Sequence, residues 1–175
     1  MKKILVSAAL AVLALPVFAG TKTVFGTTAL LNGEKNIPVT LDWKEAVYAN
    51  GGDINDFLLR APRDENWESK SLAYFLKEAN EKVLEYGIRL VPAEAGDNAK
   101  YRIVISPSSI SKSGDIKGEI LIMPVNGNDP LTSVAFSSDE RDDDDKIAFR
   151  DQLENIGENF GKLIKKEIKA QRKAK

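Results

Sequence analysis

Apolar and polar positions alternate along four stretches of this chain and recur every three or four residues along two more. Ile37, Val39, Leu41 and Trp43 interleave with Pro38, Thr40, Asp42 and Lys44, the period-2 pattern of a half-buried strand. Pro38 has no amide proton, which places the start of that strand at an edge or an entry point. Tyr101, Ile103 and Ile105 repeat the alternation. Ile116, Gly118, Ile120 and Ile122 do so against Asp115, Lys117 and Glu119, with one dry face and one largely wet one, as antiparallel sheets allow. Thr132, Val134 and Phe136 supply a last inward face. A short strand, Ile88-Arg89-Leu90-Val91, ends at Pro92, so the pattern predicts about five strands.

Leu72, Phe75, Leu76, Ala79, Val83 and Tyr86 predict a helix from about Trp67 to Tyr86, with Gly87 placed for a left-handed cap. Phe149, Leu153, Ile156, Phe160, Leu163, Ile164 and Ile168 form the stripe of a longer helix, from about Asp144 to Ala170. Its acids gather at the start and its lysines at the end, matching the helix dipole. Turns are predicted at Asn32-Gly33-Glu34, Gly51-Gly52-Asp53 and Asn126 to Pro130, the last inside a hairpin with a loop longer than two residues. Ile54 to Leu59 reads as a short helical turn and Glu94 to Asn98 as a loop. Thr21 to Leu31 is mixed, a first strand or an extended arm. No internal repeat or low-complexity linker divides the chain. Residues 1–19 are read as a leader, 20–36 as an N-terminal arm or edge strand, and 37–175 as a single α+β domain with a basic helical tail.

The leader assignment rests on Met1-Lys2-Lys3, the apolar run from Ile4 to Val17 and the small-x-small ending Val17-Phe18-Ala19 before Gly20. This is the pattern of a secretory signal peptide, too short and wrongly flanked for a lasting membrane span. Cleavage after Ala19 takes 19 of the 175 residues and leaves 156, enough for one domain with its own core. The 25 basic residues fall to 23 without Lys2 and Lys3, against 26 acids, a balance that argues against nucleic acid as a partner. The chain has no cysteine, so packing rather than disulfides must hold it, and the acceptor for a lipid anchor at the leader's end is missing. It has no histidine, which removes the commonest general base and the usual transition-metal ligand. A soluble exported protein, periplasmic or secreted and without a stable membrane anchor, is expected.

No catalytic residue, cofactor or metal ligand set is assigned from the sequence. The run Asp139-Glu140-Arg141-Asp142-Asp143-Asp144-Asp145 is the most conspicuous local feature. Clustered carboxylates suit calcium, with Asp142, Asp143, Asp144 and Asp145 as the candidate ligands. The run lacks the alternating ligands, central glycine and distal glutamate of a calcium loop, so a solvated helix start is preferred. Gly157 and Gly161, one turn apart, favour close approach of the last helix to the sheet or the other helix, with a homodimer contact second. Lys162 to Lys175 holds seven basic residues and one acid, Glu167. A solubilising helix end is preferred there over an anionic membrane contact.

Ser109-Ile110-Ser111-Lys112 has the Ser-x-x-Lys spacing of penicillin-recognising serine enzymes but lies between strands and lacks their partner motifs, so it reads as a loop. Acid pairs such as Glu65 and Glu68 are the kind a glycosidase uses, although this many acids always supply such pairs. No glycine-rich phosphate loop is present. Trp43, in phase with Ile37 to Leu41, reads as core. Trp67, amid Arg63, Asp64, Glu65 and Asn66, is the candidate partner contact.

The order of elements carries a resemblance: Val39-Thr40-Leu41-Asp42-Trp43, a helix ending Lys82-Val83-Leu84-Glu85-Tyr86-Gly87, strands at Tyr101 to Ile105, Gly114 to Met123 and Ser133 to Phe136, then a glycine-bearing helix ending in lysines. In this it resembles small exported bacterial envelope domains. Among them are the curli-secretion lipoprotein, the penicillin-binding-protein activator lipoproteins and the amino-terminal domain of the Tol system propeller protein, with uncharacterised secreted families of the same fold. The resemblance spans about Val39 to Ala170 and lies in pattern rather than in any diagnostic motif. It implies an α+β fold with a mixed, largely antiparallel sheet, two long helices packed on one face, and non-catalytic work at the envelope. Many relatives carry a lipid-anchoring cysteine that this chain lacks. The expectation is an exported, non-enzymatic accessory or binding module whose partner is another envelope protein. The alternatives are a carboxylate-based hydrolase of envelope glycans and a calcium-responsive protein.

Overall fold

The computed structural model describes residues 20–49, 51–53, 67–95, 98–138 and 145–174. In chain order its elements are β1 (Gly20–Phe25), β2 (Asn36–Leu41), β3 (Val47–Tyr48), β4 (Gly52–Asp53), α1 (Trp67–Val83), β5 (Arg89–Pro92), β6 (Tyr101–Ile110), β7 (Ile116–Pro124), β8 (Thr132–Ser138) and α2 (Asp145–Lys173). The strands form one mixed sheet in the order β1-β8-β7-β6-β2-β5, with β3 alongside β6 and β4 on β3.

The α+β class is as expected; the strand count and pairing are not. Among the described residues eight strands replace the expected five, and the sheet is less antiparallel than expected. The meander β6-β7-β8 and the edge strand β1 are antiparallel, whereas β2 lies parallel to both β5 and β6, and β3 lies parallel to β6. Parallel neighbours need a crossover, and α1 supplies it between β2 and β5. The strands beyond the expected five have no readable period. β3 and β4 are two residues each, and β1 turns Thr21 and Thr23, not apolar residues, toward the helix layer. Pro38 precedes the stretch Val39–Leu41 that pairs with β6, an entry position in a strand that is otherwise interior.

Directly paired residues share a sheet face, and the rows are apolar on one side. Val39, Ile103 and Ile122 form one row; Leu41, Ile105, Ile120 and Val134 form the next. All but the partly buried Leu41, which packs against it, belong to a single core with the stripes of both helices, Phe75, Ala79 and Val83 from α1 and Leu153, Ile156, Phe160, Ile164 and Ile168 from α2. The rings of Phe75 and Phe160 lie 5.9 Å apart between centroids. Gly157 and Gly161 explain how closely the helices approach. A β-carbon on Gly157 would collide with the Phe75 carbonyl, and one on Gly161 would sit 2.7 Å from the Ala79 carbonyl. The close approach expected of these glycines is therefore made to the other helix. A 3-10 turn, Leu84–Tyr86, closes α1, and Gly87 takes φ +75° as its left-handed cap.

Candidate functional site

Charged side chains line the seam between α1 and α2. Lys77 lies 3.7 Å from Glu154, Lys82 lies 3.1 Å from Glu158, and Lys165 meets Glu85. Along α2, Lys162 reaches Glu158 at 2.9 Å one turn back. Hydrogen bonds from Lys162 and then Lys82 hold the Glu158 carboxyl below the usual range. The Lys165 ammonium does the same to Glu85, and Lys82 and Lys165 are raised in return. These groups are largely exposed, so each pair adds little to stability. Their chemical meaning is plainer. A general acid for glycoside cleavage needs a raised carboxyl pKa, and these carboxyls move the other way.

Glu167 is the exception in burial. It sits half-buried among threonines from the N-terminal segment. The Thr23 hydroxyl donates to Oε1 at 2.9 Å, and Oε2 accepts from the Thr27 hydroxyl at 2.7 Å, the Thr28 amide at 2.6 Å and the Thr28 hydroxyl at 2.9 Å. Burial is the largest single influence and raises its pKa. The hydrogen bonds from Thr27, Thr23 and Thr28 together outweigh it, and the net shift is downward. Around this clamp, Thr132 Oγ1 accepts from the Thr27 amide and donates to the Thr27 carbonyl. Asn32 Nδ2 donates to Gln171 at 2.9 Å, Arg172 donates to Asn32 at 3.1 Å, and the Arg172 guanidinium stacks over Tyr86 at 5.0 Å. The lone acid of the basic tail is thus a structural acceptor that ties β1 and its following turn to the last helix. Sequence reasoning noted that acid without finding its partners. The signal was the cluster Thr21, Thr23, Thr27 and Thr28, too distant in sequence to be paired with residue 167 by spacing.

The outward side of α2 carries an open groove of about 460 Å³ lined by Lys162, Lys165, Lys166, Lys169, Ala170 and Lys173. Lys166, Lys169 and Lys173 are exposed, and among the described residues they have no ion-pair partner.

The residues singled out from sequence fare unequally. Asp142, Asp143 and Asp144 lie outside the described residues. Asp145 opens α2, and its side chain also lies outside them. Trp67 opens α1 with the same restriction on its side chain; Glu65 is outside, as is the side chain of Glu68, and so is the turn expected at Ile54 to Leu59. Trp43 is buried in the loop after β2, in the core where its phase placed it. Ser109 is a correction. It belongs to β6 opposite Lys117, not to a loop, because a bulge between Pro107 and Ser109 lets the strand continue past the proline. The turn that follows is knotted on itself. Ser111 and Ser113 both donate to Asp115 Oδ2, at 2.8 and 2.7 Å, while Lys112 has no ion-pair or hydrogen-bond partner among the described residues. Ser109 and Lys112 therefore form no nucleophile–base pair. Among the described residues no group of three or more acids is placed to hold a metal ion, and no helix is long and apolar enough to cross a membrane.

No protein-family model matches the sequence, and no curated protein matches it. Among solved structures, the chain is similar to the PelC dodecamer from Paraburkholderia phytofirmans at 9% identity and a TM-score of 0.45, covering 81% of this chain and 96% of that one. A point variant of the same PelC, also a dodecamer, gives 9% identity and a TM-score of 0.44 over 81% of this chain and 95% of that one. Likeness at this level transfers neither activity nor assembly.

Proposed function

We propose that this protein is an exported, soluble, non-enzymatic accessory or binding module of the bacterial cell envelope, with another envelope protein as its partner. The observation that supports the non-enzymatic part is geometric: Glu85, Glu158 and Glu167 are each engaged by donors of the fold itself. Glu85, Glu158 and Glu167 are all held below the usual range by lysine or threonine donors. Such groups stay ionised and engaged at neutral pH, which favours scaffolding over acid–base chemistry. Export rests on the leader, and the sheet is compatible with its removal. Gly20 already pairs with Ser137, so cleavage after Ala19 leaves every described pairing of β1 intact. A protein partner is supported by the exposed large apolar residues near one sheet edge, Val24 and Phe25 on β1 and Leu131 just before β8, at 49%, 46% and 45% exposure.

The test is expression of the full chain in a secreting bacterial host. The mature N-terminus is then read by mass spectrometry, and envelope crosslinking is followed by purification. A new N-terminus at Gly20 and a recurrent near-stoichiometric partner are expected. An uncleaved cytoplasmic chain would sink the export reading. Turnover of an envelope glycan that disappears on changing one acid would sink the non-enzymatic one.

A further inference from the structure

We infer that the lysine row on the outward side of α2 is a binding surface for a linear anionic polysaccharide bearing one carboxylate per sugar. This rests on the reading of the chain as a non-enzymatic binding module and adds a polymer ligand to its protein partner. Lys162, Lys166, Lys169 and Lys173 follow one another at four-, three- and four-residue steps. On a helix those steps set a cation every 4.5–6 Å, roughly, along one line about 16 Å long. The neighbouring carboxylates are already taken: Glu158 by Lys82 and Lys162, Glu85 by Lys165. Lys166, Lys169 and Lys173 have no ion-pair partner among the described residues. The groove they line is open to solvent, and the row of cations along it runs with the helix axis, a spacing that suits a chain rather than a compact ligand.

The surroundings discriminate between polyanions. A flat anionic membrane laid on the two helices would meet Glu81, Glu85, Glu154 and Glu158 beside the lysines, and the groove offers no large apolar side chain for insertion. A thin chain lying along the row avoids those acids. Single-stranded nucleic acid binds where bases stack on exposed aromatics, and the groove has none. The adjacent ring, Tyr86, is covered by Arg172. The cations are all lysines, point charges suited to carboxylates presented singly along a flexible polymer.

The purified full chain is titrated with polygalacturonate, neutral dextran, single-stranded DNA and phosphatidylglycerol vesicles at low and high salt. The triple variant Lys166→Gln/Lys169→Gln/Lys173→Gln is compared with Lys22→Gln/Lys112→Gln/Lys117→Gln, which removes equal charge elsewhere, and unchanged melting temperatures establish that both are folded. Salt-sensitive polygalacturonate binding, weakened about tenfold by the first variant and unchanged by the second, is expected. Equal weakening by both variants, no binding, or equal binding of dextran overturns the inference. Tighter binding of DNA or vesicles through the same three lysines also overturns it, in favour of that partner. Failure to bind with the polymer intact leaves the non-enzymatic reading standing, whereas shortening of the polymer by the protein overturns both.

Discussion

Gly157 of α2 lies directly against the carbonyl of Phe75 in α1, with no room for a β-carbon between them. The contact fixes the spacing of the two helices and the register of the charged seam beside it. In isolation, Gly157→Ala would help a helix by about 1 kcal/mol. Here the added methyl meets backbone, which cannot swing aside, and overpacking of that kind costs about 1–3 kcal/mol. With the upper end of that range set by an unyielding backbone carbonyl, we expect a net loss of about 2 kcal/mol, read as a melting temperature several degrees lower. A variant as stable as the parent would mean the helices can separate freely.

Phe160→Ala tests the same interface by removal. Phe160 is fully buried and packs on Phe75. Truncating a buried phenylalanine costs about 3–5 kcal/mol through lost transfer energy and the cavity left behind. Urea unfolding should show that loss with an unchanged slope.

The Glu167 clamp predicts an acid-sensitive fold. Its folded pKa is lowered relative to the unfolded chain. Its stabilisation is therefore complete above the ordinary glutamate value of 4.5 and fades as pH falls through the lower folded value. Glu167→Ala should cost about 2–3 kcal/mol near neutrality, because four donors lose a charged acceptor. It should also flatten the acid limb of a melting temperature against pH profile. A parallel acid limb in the variant would assign acid lability to other carboxyls.

The exposed seam should behave oppositely. Lys165→Gln breaks the pair with Glu85, yet both groups are bathed in water. No change in melting temperature beyond experimental scatter is expected. A clear drop would show that the seam acts as a network rather than as separate pairs.

Calcium offers a direct check on the acidic run before α2. A ligand that binds only the folded state must raise its stability. Unchanged melting in millimolar calcium is expected for a solvated helix start; a rise abolished by Asp142→Asn/Asp144→Asn would make the run a cation site.

What could be read from the sequence followed burial. The stripes of α1 and α2 and the alternation through β6 and β7 were legible because one side of each element is dry; β8 is buried on both faces, and its alternation is legible because its second face carries the small residues Ser133, Ala135 and Ser137. β1 was ambiguous because its inward residues, Thr21 and Thr23, are satisfied by hydrogen bonds to α2 rather than by apolar packing. The parallel placement of β2 was hidden because a strand's own pattern does not state its neighbour's direction. Ser109 was misplaced because a proline usually ends a strand and here sits at a bulge. The site followed the same logic. The seven bases of the tail were countable, but which of them find acids depends on the register of α1 against α2, and that register is set by Gly157 and Gly161.

The threonines that grip Glu167 stand near the front of the chain, and the carboxylate they grip stands near its end, 139 residues beyond Thr28. A ribosome therefore delivers β1 long before β8 or α2 exists to receive it. Until β8 and the last helix have emerged, the opening segment lacks both the strand it pairs with and the carboxylate it grips. The architecture closes like a clasp only when nearly the whole polypeptide has arrived.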